Sequence, residues 1–331
     1  MKILFITNTR IGDAVLSTGI LSALLDDHPQ AEFTIACGPD AAPLFETVSR
    51  IHHVIVLKKR PGAMHWWSLW RKCLRTRWDL VVDLRNSLVS RLLQARERRV
   101  LGRGGNDMHR VERLATLLNL TPPPAPRLWI TEDHDARARR HLPPNGHVLA
   151  LAPTATWRGK QWDPARFAEV AKALTDSEGI LPDAKVAVFG AAGEHEHADI
   201  TLRRIPARQR IDLVGKTDLL TAFAILRRCS LFVGNDSGLM HMAAAAGIPT
   251  LGLFGPSREE HYAPWGPHTG AVRTPESYDE LINRPGYDRR TTGSLMGSLT
   301  VAAVCDAAVS LWSRCGRTCV GTNPARTGLF N

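Results

Sequence analysis

The sequence lacks any apolar run approaching the roughly 20 residues needed to span a bilayer. It also shows no cleavable leader: Met1-Lys2 opens straight into the short apolar run 3–6, too brief for a signal-peptide core, with no cleavage site after it. These absences predict a protein that stays in the cytosol. Cysteine is sparse, with six residues scattered over 331. Reduced, mostly buried thiols are expected, and the Cys315/Cys319 pair has no matching ligands at zinc spacing, so no metal site is predicted. Neither half carries G-x-G-x-x-G after its first strand, which counts against a dinucleotide-dependent oxidoreductase.

Acidic residues are outnumbered, 32 against 42 Lys and Arg, and the shortfall is local. Residues 58–113 hold 15 basic and 5 acidic residues, a net +10 that equals the excess of the whole chain. Such a field suits an anionic partner: a phosphorylated ligand, nucleic acid or an acidic membrane surface. The bland alternative is a solvated face that aids solubility. Lys58, Lys59 and Arg60 form the densest run. Within 64–78, Trp66, Trp67, Trp70, Leu74 and Trp78 interleave with Arg71, Lys72, Arg75 and Arg77. Read as one helix, Trp67, Trp70, Leu74 and Trp78 share a broad face. That face suits a membrane interface or amphiphilic acceptor, or equally a packed core.

What is present otherwise is β/α alternation, twice. In the first half strands are predicted at 2–7, 33–36, 54–57, 79–84 and 127–130, with helices at 14–25, 110–120 and 132–141. "LPPNG" at 142–146 reads as a linker. Beyond it come strands at 147–152, 185–189, 231–233 and 250–254. The helices there are 164–175, 218–228, 239–246 and 298–312. This pattern predicts two doubly wound parallel sheets facing across a cleft, with ligands at the carboxyl ends of the strands. The expected units are 1–145, 146–300, and a last helix with a mobile tail over 301–331.

Four segments carry candidate chemistry. "VGNDSGLMHMAAAAG" (233–247) places a strand, a turn and an Ala-rich helix in sequence. Asp236 or Ser237 can cap that helix, Gly238 permits close backbone approach, and His241 lies one turn in. Its free N–H groups suit a phosphate, though an ordinary capped helix reads the same way. The loop Gly255-Pro256-Ser257 at the same sheet edge adds weight to a site. "PTATWRGKQW" (153–162) offers hydroxyls from Thr154 and Thr156 and positive charge from Arg158 and Lys160, suited to a departing diphosphate. "NTRIGD" (8–13) sets Gly12 and Asp13 at a helix start, where Asp13 is either an N-cap or a general base facing the cleft. Glu194, in "GAAGEHEHA" (190–198), is placed to bind a ribose diol. The neighbouring His195 and His197, two apart, do not make a metal site.

Three of these segments, "IGDAVLSTGIL", "GKQWDPARFAEV" and "GNDSGLMHMAAAAGIPTLGLFGPS", resemble the family 9 glycosyltransferases, which include ADP-heptose:lipopolysaccharide heptosyltransferases. The likeness spans about residues 1–310. It implies an α/β GT-B fold and an inverting transfer that needs neither metal nor cofactor. It also implies an ADP-sugar donor, an anionic glycolipid acceptor from the lipopolysaccharide inner core, transient contact with the cytoplasmic face of the inner membrane, and no nucleic-acid partner. By the same resemblance Asp13 is the general base and Lys160 meets the donor phosphates. Gly12, Thr154, Thr156, Asp236, Ser237, Gly238 and His241 line the donor side, Glu194 or Glu196 meets the ribose, and residues 214–218 lie by the base. The basic run Lys58, Lys59, Arg60 is assigned to the acceptor. Alternatives are a non-catalytic binding protein on this fold and a transferase for another nucleotide sugar.

Overall fold

A computed structural model describes residues 1–59, 61–102, 104 and 107–319. The first half runs β1 (Lys2–Ile6), α1 (Ile11–Asp27), β2 (Glu32–Cys37), β3 (Ile51–Val56), α2 (Met64–Cys73) and β4 (Trp78–Asp83). It continues with α3 (Leu88–Leu92), β5 (Ala95–Val100), α4 (Arg110–Thr116) and α5 (Glu132–His141). The second half opens with β6 (Val148–Ala152), α6 (Pro164–Thr175), β7 (Lys185–Val188), α7 (His195–Arg204), β8 (Arg210–Asp212) and α8 (Leu219–Leu226). Then come β9 (Leu231–Asn235), α9 (Gly238–Ala245), β10 (Thr250–Phe254), α10 (Glu259–Tyr262), β11 (Thr269–Arg273), α11 (Tyr278–Ile282) and α12 (Val301–Cys319).

Each half builds one all-parallel sheet, ordered β3-β2-β1-β4-β5 and β11-β10-β9-β6-β7-β8. Parallel strands covered by helices on both faces must be apolar throughout, and the central β6, β9 and β10 are buried at every position. The edge strands β3 and β5 are half-exposed and carry His and Arg, which discourages edge-to-edge pairing. The strand order reverses between β1 and β4 in one sheet and between β9 and β6 in the other. Crevices open at such reversals, outside the carboxyl ends of the strands.

One hydrophobic cluster crosses between the halves, joining Ile20, Leu24 and Phe33 to Phe223, Met242 and Phe254. α1 packs against α9, and α5 against α8. α12 lies on α6 and β11, so the final helix belongs to the second sheet's packing. Cys37, Cys73 and Cys229 are buried free thiols, and burial pushes Cys37 and Cys73 up to about 12.

Several expectations are corrected. The helix read over 64–78 ends at Cys73. Trp78 instead opens β4, where it is buried and its indole donates to the Cys73 carbonyl at 3.2 Å. No strand forms at 127–130. The Arg127 N–H bonds the Thr18 hydroxyl at 3.0 Å and the Trp129 carbonyl accepts from Thr47 at 2.8 Å, so side chains satisfy this segment rather than a ladder. The segment after Ser313 is helical to Cys319, and residues 320–331 lie outside the described residues, as does Arg60.

Candidate active site

The loop after β6 is fixed from both ends. Asn235, fully buried at the end of β9, donates to the Pro153 carbonyl at 2.8 Å and accepts from the Trp162 N–H at 3.2 Å. Trp162 is itself buried and its indole bonds the Leu299 carbonyl at 2.9 Å. Gln161 closes the turn onto the Ala155 carbonyl at 2.7 Å. The short 3-10 turn Arg158–Lys160 is thereby held at the strand-order reversal, where the Lys160 ammonium pairs with the Asp236 carboxylate. Asp236 is 6% exposed in its side chain and Lys160 24%, so the pair is poorly hydrated.

α9 begins at Gly238 with Ser237 as N-cap, yet no side chain caps it. The Ser237 Oγ, the His241 Nδ1 and the Ser257 Oγ are buried without partners among the described residues. Native structures leave few such atoms unsatisfied, and each needs an explanation. Ser237 and Ser257 follow the carboxyl ends of the paired strands β9 and β10, and His241 lies one turn into α9. His241 stands 3.9 Å from Asp236. Burial above all pushes His241 down to about 4, the charges of His109 and Lys160 add to this, and only Asp236 opposes it. The imidazole is therefore neutral at neutral pH. Gly247 follows the helix at φ +75°, the left-handed conformation that glycine takes readily at a helix stop.

The N-terminus of α1 meets this place from the other half. A Cβ on Gly12 would lie 2.9 Å from the His241 ring, and one on Gly238 would lie 2.8 Å from Ile11. Two helix N-termini thus converge, and both present positive dipole ends and free N–H groups. Like poles repel unless something negative lies between them. Lys160 brings an ammonium to the same place, paired with Asp236. An arrangement of this kind is chemically able to accept an anion.

A second concavity, of about 290 Å³, opens at the carboxyl ends of β4 and β5. Leu84, Arg85, Asn86, Leu101, Arg110 and Arg113 line it, with no carboxylate among the described residues. Asp83, buried at the end of β4, shapes its rim by accepting from the Arg85 N–H at 2.8 Å and from the Ser87 N–H and hydroxyl at 2.7 Å. The Arg110 Nε is buried and unpartnered among the described residues, and Arg113 is lowered by burial and then by the neighbouring Arg110 charge.

The model of glycosyltransferase family 9 (heptosyltransferase) matches residues 106–284, more than half of the chain. The chain belongs to that family. It is a glycosyltransferase with the GT-B architecture expected from its sequence. It is 27% identical over 319 residues to lipopolysaccharide heptosyltransferase 2 of Escherichia coli (strain K12), covering 85% of this chain and 90% of that one. Among solved structures, ADP-heptose lps heptosyltransferase II of E. coli superposes with a TM-score of 0.73 at 22% identity, covering 95% of this chain and 99% of that one. The E. coli heptosyltransferase WaaC with ADP has a TM-score of 0.69 at 17% identity, covering 94% and 100%. At these identities the structures establish the fold alone.

Placed in this family 9 transferase, the sequence-derived residues divide. Gly12, Lys160, Asp236, Ser237, Gly238 and His241 come together at the junction of the halves. Asp13 is not the N-cap: α1 starts at Ile11 with Arg10 in the cap position, and Asp13 sits in its first turn with no side-chain hydrogen bond or ion pair among the described residues. Thr154 is buried and donates to Glu194 Oε2 at 2.8 Å, and the same oxygen accepts from the Ala191 N–H at 2.9 Å. Thr156 and Glu196 are exposed. Gly255 is small for packing, since its Cβ would meet the Met296 sulfur at 2.5 Å. Asp218 is already engaged: it caps α8 through Thr221 and pairs with Arg137 at 2.6 Å. Lys58 and Lys59 are exposed just beyond β3, without ion pairs among the described residues. No group of His, Cys, Asp and Glu among the described residues is arranged for a metal, and none of their helices is long and apolar enough to cross a membrane.

Three residues, His109, Trp265 and Tyr262, escaped the sequence reading. His109 caps α4 through Nδ1, and its Nε2 lies 2.9 Å from the Ala263 carbonyl of the other half. Its ring stacks on Trp265 at 4.6 Å. Burial, and then the charge of Asp13, push the Tyr262 phenol up, while Arg110 and Arg10 oppose. Tyr262 therefore shares the field of Asp13. None of the three stands in a motif.

Proposed function

We propose that this chain is an inverting, metal-independent heptosyltransferase that moves a sugar from an ADP-sugar to an anionic lipopolysaccharide inner-core acceptor, with residues 146–300 taking the donor and 1–145 the acceptor. The observation that carries the donor side is the convergence of two helix N-termini and Lys160 on three unpartnered buried polar atoms. A diphosphate would satisfy Ser237, Ser257 and His241 and draw Lys160 from Asp236. The relatives support the choice of substrates, because one carries the name lipopolysaccharide heptosyltransferase and one was solved with ADP. Thr154 holds Glu194 so that its Oε1 has no partner among the described residues and is open to a ribose hydroxyl.

The chemistry is one displacement. Asp13, uncommitted in the first turn of α1, takes the proton of the acceptor hydroxyl as that oxygen bonds to the anomeric carbon. The bond from that carbon to the diphosphate oxygen breaks, and its electron pair leaves with the diphosphate. Lys160 and the helix N-termini supply the positive charge that a metal ion would otherwise bring. Attack from the face opposite the leaving group inverts the anomeric centre. Anionic groups of the acceptor are met by Lys58, Lys59 and the arginine-lined cleft. Such an acceptor places the reaction at the cytoplasmic face of the inner membrane. Calorimetric titration of ADP in EDTA tests the donor side. Binding that persists in chelator is expected, and binding that vanishes with it overturns the metal-free site.

A further inference from the structure

α2 is amphipathic in an uncommon sense. Leu69 and Cys73 are buried beneath it, and Trp66 and Trp70 pack partly on the same cluster. Its outward side still shows Met64 at 55% and Trp67 at 57% exposure. The neighbouring α3, which packs against α2, repeats this with Leu88 at 64% and Leu92 at 60%. A four-residue spacing puts Leu88 and Leu92 on one side of that helix. These four are the most exposed large apolar side chains among the described residues, and they come from two adjacent helices.

The surrounding charge has one sign. From 57 to 78 and again from 84 to 96 the sequence contains no acidic residue, while Lys58, Lys59, Arg71, Lys72, Arg75, Arg77, Arg85 and Arg91 fall there. Arg71 lies 5.7 Å over the Trp67 ring, which keeps a cation at the apolar tip. Arg85 lies 5.2 Å over Trp66 and also lines the cleft of the first half. The apolar tips therefore border the opening in which the acceptor's anionic groups would sit.

We propose that the α2–α3 face docks on an anionic lipid bilayer, with Met64, Trp67, Leu88 and Leu92 entering the headgroup boundary and the flanking cations meeting the lipid phosphates. This deepens the acceptor reading above and rests on it for the orientation of the cleft, but the docking itself needs no turnover. An apolar tip ringed by cations fits a negatively charged interface, where burial and electrostatic attraction add. A protein partner would call for acidic complementarity instead.

The test is co-sedimentation of the full chain with vesicles of phosphatidylcholine and phosphatidylglycerol, against phosphatidylcholine alone, with no glycolipid present. Trp67→Ser combined with Leu88→Ser and Leu92→Ser is expected to lower partitioning onto the anionic vesicles by about tenfold or more, the scale for losing several inserted apolar side chains. ADP affinity and turnover on a short lipid-free acceptor should stay within about twofold, since neither uses this face. Unchanged vesicle binding in the variant overturns the proposal. So does sedimentation showing that wild type self-associates through this face and the variant does not. If transfer fails while vesicle binding follows the pattern above, the function falls and the docking face stands.

Discussion

Replacing Lys160 with Ala separates two effects that the structure joins. Lys160 neutralises Asp236, whose side chain is 6% exposed. Removing one partner of a buried ion pair costs about 3–5 kcal/mol, because the other charge is left without water or counterion. Lys160 is itself about a quarter exposed and water can follow its removal. A loss nearer about 1–3 kcal/mol is therefore expected. In the reaction the same ammonium is assigned to the departing diphosphate, and loss of such a group lowers turnover by about 10²- to 10³-fold. Urea unfolding reads the first effect and single-turnover kinetics at saturating ADP-sugar the second. The double variant with Asp236→Asn divides them: it should regain most of the stability lost by Lys160→Ala, as expected for a removed partner, yet none of the turnover. Turnover of Lys160→Ala within about threefold of wild type would refute the leaving-group role. A double variant no more stable than Lys160→Ala would refute the account of Asp236.

Three further outcomes are expected. Asp13→Asn should melt as wild type does, since its carboxylate caps nothing, while turnover falls about 10²-fold or more; near-normal kinetics would remove Asp13 as the base. Gly12→Ala should cost about 1–3 kcal/mol and weaken ADP binding, because the new methyl meets the buried His241 ring at 2.9 Å, and wild-type stability in that variant would show that the helix N-termini do not truly abut. Finally, His241 is depressed from 6.5 to about 4, so on acidification the unfolded chain takes up a proton before the folded one does. Its contribution is intact above 6.5 and is lost as pH falls through that window, by at most about 1.4 kcal/mol per pH unit. Urea midpoints from pH 7 downward should fall less steeply in His241→Gln, and identical slopes would contradict the buried neutral imidazole.

The fold was legible where burial is two-sided. Strands such as β6 and β10 are apolar at nearly every position and announce themselves. β5, "ARERRV", does not: as an edge strand it needs little burial, and its pairing to β4 comes from the backbone rather than from side chains. The charged tail of α12 was misjudged because 313–319 has no apolar period of its own beyond the turns it extends. At the site, residues within one strand–turn–helix unit could be read from spacing, as with Asp236 to His241. His109, Tyr262 and Arg110 could not, because their meaning depends on contacts such as that between His109 and Ala263, 154 positions apart.

The ring of His109 has a consequence for how the two halves part. Because Nδ1 accepts the Val111 N–H, the ring proton is on Nε2, and that proton is given to the Ala263 carbonyl. One imidazole is thus a bolt with each end in a different half. Swinging the halves open withdraws it from Ala263 and from the face of Trp265, while its hold on α4 keeps the bolt aligned for return. A second proton would have to enter at Nδ1, where the Val111 N–H already points, and burial pushes the ring's basicity down as well. The fastening should therefore ignore the pH changes a cell meets near neutrality. The fastening is thus a constant of the fold, a joint between the halves that acidity does not work loose.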